Sequence, residues 1–133
     1  MNREQIIEKW DGMTSRERDA WVAEVVFGLN VGYENGTPYI CDFCIGRDMD
    51  EYTTDISAAW EVVTHMIAEE YEPTINTVTN QSVGYLLGEA ELNDYHCCFA
   101  KGRVLHVRAH RKHAPEAICL AAIIAKLTKG VTE

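Results

Sequence analysis

Residues 101 to 113, "KGRVLHVRAHRKH", hold Lys101, Arg103, Arg108, Arg111 and Lys112, with His106, His110 and His113 among them and no acid before Pro115. A guanidinium offers a planar fork of donors that suits phosphate, and lysine adds a point charge. The cluster runs directly into Ala114-Pro115, where an apolar helix is expected to start. The first amides of a helix lack internal acceptors, and the helix dipole makes that end positive. Cations are unfavourable there, so a chain that gathers them predicts an anion arriving from outside. Arg108, His110, Arg111, Lys112 and His113 are therefore the candidate anion-binding residues, with phosphate or the pyrophosphate of a nucleotide as the guest. Affinity is expected to weaken as histidines lose protons above about pH 6.5. The competing account is a solvated hairpin whose charges neutralise acids elsewhere in the fold or in a neighbouring subunit.

The cysteines give a second constellation. Cys41-x-x-Cys44 has the spacing of a zinc knuckle, and His96 of "HCC" offers a further ligand, so Cys41, Cys44 and His96 form a candidate zinc set. A second CxxC or HxxxH is absent, and Cys97 and Cys98, adjacent on a strand, point to opposite faces. No zinc essential to the fold is expected, and no cofactor. Cysteine with histidine is also a nucleophile and base in principle, but nothing marks an oxyanion hole. No Walker loop and no GxGxxG occur, and a non-enzymatic role is expected.

The whole chain of 133 residues carries a net charge of −9, which argues against binding duplex DNA. Residues 1 to 100 hold 5 basic and 19 acidic side chains, −14, whereas residues 101 to 133 hold 7 and 2, +5. That acidic surround repels polyanions and favours a small ligand. No apolar run approaches a membrane span, the start is polar, and five cysteines without an export signal argue against a disulfide framework. A soluble cytoplasmic protein is expected.

These residues need elements to position them. Asn2 with Gln5, and Thr14 with Glu17, read as capping boxes that open two helices closed by Gly12 and Gly28. Trp10 and Trp21 lie on their apolar sides. Asn35-Gly36 reads as a turn between the short strands "LNVGY" and "PYIC", followed by the acidic loop "GRDMDEY". Thr54 or Asp55 caps a third helix whose stripe is Ile56, Ala59, Trp60, Val63 and Ile67, ending before Pro73. "TINTVT", "VGYLLGEAEL", "YHCCF" and "RVLHVRA" then read as strands, the last two joined at residues 100–103 and followed by a turn through His110 to His113. Pro115 opens the final helix, apolar on most sides, and Lys126, Lys129 and Gly130 complete it. The order predicts a single α+β domain over residues 1–133, an antiparallel sheet between helical layers (α/β/α).

Three words, "SRERDAWVAEVVFG", "YTTDISAAWEVV" and "APEAICLAAI", resemble in order and spacing the phage ABA sandwich domain family of small tailed-phage proteins. The resemblance implies the same sandwich, no assigned reaction and no known functional residues; "CDFCIGRDMDE" departs from the usual short link into "YTTD". It places the protein in the bacterial host cytoplasm, where accessory phage proteins sequester nucleotide signals or block a host defence protein. Sequestration would use the cationic cluster; blocking would use the acidic loop, residues 48–55. An exposed strand edge and the apolar last helix predict a homo-oligomer, most simply a symmetric dimer.

Overall fold

The structure is a computed structural model that describes every residue except 43–44, 103–104 and 129–133. Helices α1 (Arg3–Asp11) and α2 (Ser15–Val25) open the chain. Both capping boxes form: the Gln5 amide donates to Asn2 at 2.8 Å and the Asn2 amide to Gln5 at 2.9 Å, and Thr14 and Glu17 repeat the exchange at 2.9 and 3.2 Å. Asn35 (φ 53°) and Gly36 (φ 81°) both take the left-handed region, as a two-residue hairpin turn requires. They join β1 (Val31–Glu34) to β2 (Thr37–Asp42), and β3 (Ile45–Arg47) completes an antiparallel sheet of order β1-β2-β3. β3 claims the start of the segment expected to be an acidic loop.

Helix α3 (Ile56–Ala68) is capped by Asp55, whose carboxylate accepts the Ser57 amide at 2.9 Å. Its buried stripe is Ala59, Val62, Val63 and Met66. Ile56, Trp60 and Ile67, expected in the core, stand more than half exposed. The helix is apolar on two adjacent stripes, and packing against α5 selects the one with smaller side chains.

The second sheet has the order β4-β5-β6, from β4 (Glu72–Thr77), β5 (Tyr95–Lys101) and β6 (Leu105–Arg111), all antiparallel. "VGYLLGEAEL", expected to be a strand, instead forms the short helix α4 (Val83–Leu86) and turns. Its apolar residues Val83, Leu86 and Leu87 recur at helical spacing. The amides of Leu86 and Leu87 donate to Ser82 and Val83 at 3.0 and 2.9 Å, and Gly88 takes φ 77°.

The final helix α5 (Ala114–Thr128) lies at the centre, against β5 and β6 on one side and α1, α2 and α3 on the others. Ala117 to Ala125 are all buried, in one cluster with Trp10, Val22, Val63, Cys97 and Phe99. Lys126 ties α5 to α3 through Glu69 at 2.6 Å. The helix therefore satisfies its apolar surface within the protomer and gives no reason to pair. Most of the exposed large apolar side chains lie on α3 and on the segment from α4 to Leu92, Leu86 (68 % exposed) and Leu87 (63 %) foremost, and Tyr33 on β1 adds another. The architecture is α+β with antiparallel sheets and helices packed on them. Among the described residues no helix is long and apolar enough to cross a membrane.

Candidate functional site

β6 runs on to Arg111, because its register with β5 continues through His96↔His110 and Tyr95↔Arg111. His110 and Arg111, expected in a turn, are thus strand residues, and alternation sends their side chains to opposite faces. Cys97, Phe99, Val107 and Ala109 face α5 and are buried. The outer face carries the rows Asn76–His96–His110 and Thr74–Cys98–Arg108.

His96 Nδ1 and His110 Nε2 are 2.8 Å apart, so one ring donates its N–H to the bare nitrogen of the other. α4 closes over this pair. A Cβ on Gly84 would fall 2.8 Å from His110 Nε2, so only glycine fits. Burial, and then Arg108, lowers the His96 pKa; burial, His96 and Arg108 lower that of His110. The protonation of His110, and any charge it adds to anion binding, is therefore moved to lower pH than that of an ordinary imidazole.

The same shifts make a stability prediction. Both histidines bind a proton less readily folded than unfolded, so the unfolded chain protonates first as pH falls below its ordinary value of 6.5. Stability is full above that pH and is lost as pH falls towards the folded values. The urea midpoint is expected to fall more between pH 7 and 5 than that of a His96→Gln–His110→Gln variant. Equal falls contradict the paired-imidazole account.

The candidate anion residues divide among three hollows. Arg108, His110 and Arg111 line a recess of about 260 Å³ at the free edge of β6, and Arg3 of α1 joins them. Sequence reasoning missed Arg3, which lies 105 residues away and whose guanidinium donates to the Arg108 carbonyl, covering the strand edge. Lys112 borders an adjoining hollow of about 320 Å³ shared with His110 and Arg111. His113 instead lines a larger cleft of about 680 Å³ beside the start of α5, with Arg18, Thr53 and Tyr95.

Carboxylates meet several of these cations. Arg111 pairs with Asp11 at 3.2 Å and lies 3.7 Å from Glu116; Arg108 lies 3.5 Å from Glu89. Glu116, in the first turn of α5, also accepts from Trp10 at 3.0 Å and Arg18 at 3.2 Å. The helix start therefore carries its own anion, and the argument from an unmet helix dipole fails. What remains is the crowding of Arg3, Arg108 and Arg111 around one recess. Burial, then Arg108, lowers the Arg3 pKa, with Arg111 adding and Glu89 opposing.

The zinc set does not assemble among the described residues, where no group of three potential metal ligands occurs. Cys41 is exposed on β2 of the first sheet, His96 belongs to the second, and Cys44 lies outside the described residues. Cys119 is buried and donates to the Tyr52 carbonyl at 3.2 Å; burial raises the Cys97 and Cys119 thiols, leaving both poor nucleophiles.

Residues 20–123 match the profile of the phage ABA sandwich domain family. The fold resembles a 2.0 Å crystal structure of a phage protein from Bacillus cereus ATCC 14579, with a TM-score of 0.59 over 86% of this chain and 93% of that chain, at 18% identity. At that identity the likeness concerns the fold alone. No curated protein matches the sequence.

Proposed function

Since the chain belongs to the phage ABA sandwich domain family, we propose that it is a non-enzymatic accessory protein that binds a small phosphate-bearing ligand, and that sequestering a nucleotide-like signal of host defence is its use. The supporting observation is the recess of about 260 Å³ bordered by Arg3, Arg108 and Arg111. Three guanidiniums in one recess repel each other, and an anion with several acceptor oxygens relieves that repulsion. The recess is smaller than the ~300–1,000 Å³ pockets that enclose whole drug-sized ligands, so it holds a phosphate or pyrophosphate end and leaves the remainder outside. Lys112 adds charge at the rim, and His113 plays no part in this recess. Calorimetric titration at pH 6 and low salt, with inorganic phosphate, pyrophosphate and nucleoside mono-, di- and triphosphates, tests the reading. Stoichiometric binding that tightens with phosphate count supports it; no heat with any of them refutes it.

A second reading is a protein–protein inhibitor that uses the acidic loop. Asp48, Asp50 and Glu51 are exposed, while their neighbours Met49, Tyr52 and Thr53 are buried and hold the loop in place. Neutralising those three acids, set against Arg3→Ala with Arg108→Ala in the same phage-fitness assay, separates the two readings by which change removes the benefit.

Either activity is proposed to operate in a symmetric dimer. Val83, Leu86, Leu87 and Leu92 form a run of exposed apolar side chains on the α4 segment, the kind of surface that pairing covers. Sedimentation at tens of micromolar is expected to show a species of twice 15.0 kDa that Leu86→Glu with Leu87→Glu dissociates; a monomer throughout contradicts it.

A further inference from the structure

We infer that Glu89 is a built-in competitor for the arginine recess, an internal carboxylate that occupies the anion's place and sets how much ligand is needed to displace it. This rests on the recess being an anion site and adds its regulation. Of the described residues lining the recess, Glu89 is the one carboxylate, and it also borders the adjoining hollow with Lys112. Its Oε2 lies 3.5 Å from Arg108 Nη2, longer than a good charged hydrogen bond, and the two side chains are 47% and 44% exposed. Such a pair contributes little net stability, so its exchange for phosphate, which brings more charge and more acceptors, is favourable. Arg111 differs: its partners Asp11 and Glu116 lie on α1 and α5, and neither borders the recess.

The backbone supports the role. The amides of Glu89 and Ala90 both donate to the Gly84 carbonyl, at 2.8 and 3.1 Å. Gly84 is in turn pressed against His110, with no room for a side chain. The loop is therefore anchored beside the recess while the Glu89 side chain remains free to leave it. A tethered group of this kind competes at high effective concentration without itself moving far. Its charge acts on the recess as an anion does, raising the proton affinities of Arg3 and His110 against the opposing arginines.

The test is the calorimetric dissociation constant for inorganic pyrophosphate with wild-type protein, Glu89→Gln and Glu61→Gln. Glu61 is exposed on α3, so its replacement makes the same change in net charge away from the recess. Glu89→Gln is expected to bind about five- to tenfold more tightly than wild type, and Glu61→Gln to differ little. If wild type binds and Glu89→Gln matches Glu61→Gln or is weaker, Glu89 is no competitor and the anion site still stands. If no variant binds, both the site and its regulation are overturned.

Discussion

The Arg3→Ala–Arg108→Ala variant is expected to bind pyrophosphate at least about 100-fold more weakly than wild type, since each charged hydrogen bond contributes about 1.5–3 kcal/mol and each 1.4 kcal/mol is tenfold. Both residues suit the test because neither has a strong structural partner. Arg108 pairs only with the half-exposed Glu89 among the described residues, and Arg3 donates to one backbone carbonyl at the β6 edge. Arg111 is the wrong residue to remove, since its loss strands Asp11 and loosens the contacts around Glu116. A urea unfolding curve beside each titration separates lost affinity from lost fold: the double variant is expected to keep its slope and most of its midpoint. An affinity unchanged by the double substitution leaves the cluster as a solvated face.

The largest effect on stability is expected at Asp19, which holds the segment between β3 and α3 onto α2. Its side chain is 1% exposed. Oδ1 accepts the Thr53 amide at 2.9 Å and the Thr53 hydroxyl at 2.7 Å, while Oδ2 pairs with Arg16 at 3.0 Å. Arg16 in turn donates to the Met49 carbonyl at 3.1 Å. Burial raises the Asp19 pKa above its ordinary value, and the bonds to Thr53 and the charge of Arg16 oppose that rise. Asp19→Ala removes the acceptor, leaves the buried Thr53 amide unpaired and Arg16 without its carboxylate, and leaves the Thr53 hydroxyl only the Ser15 carbonyl at 3.4 Å, at a cost of about 3 kcal/mol. Asp19→Asn keeps one acceptor oxygen and is expected to cost less than half as much. Chemical denaturation of both variants checks this; a loss below about 1 kcal/mol for the alanine variant means that water replaces the carboxylate.

The elements legible in the sequence are those with a local physical signature. Asn2 with Gln5 and Thr14 with Glu17 mark helix starts because the capping exchange involves only residues three apart. Asn35-Gly36 marks its hairpin because few other pairs take two left-handed conformations in succession. The central helix is legible because residues 117 to 125 are apolar all round. What failed needed tertiary context. Trp60 lies on a stripe as apolar as the one buried, and only the α5 surface decides between them. "VGYLLGEAEL" is the exception, since its Val83–Leu86–Leu87 spacing and a glycine stop at Gly88 are local helical signals that the expected strand overlooks. His110 and Arg111 carry no local strand signal, because only cross-strand pairing with β5 extends β6 to Arg111. That extension changed the site most, since it set Arg108 and His110 on one face of β6 and left His113 to a separate cleft. Arg3 carries no local sign of its role; covariation with residue 108 or 111 is the signal that finds such a partner.

The central claim is that Arg3, Arg108 and Arg111 together receive one anion. Their side-chain Nε–Hε signals in a ¹⁵N–¹H NMR spectrum, followed as inorganic pyrophosphate is added at low salt, test it most directly. The account predicts that these three signals shift together along one saturable curve while that of Arg16, held by Asp19 and Met49, stays in place. Signals that stay still, or that drift linearly and alike for all arginines, contradict it.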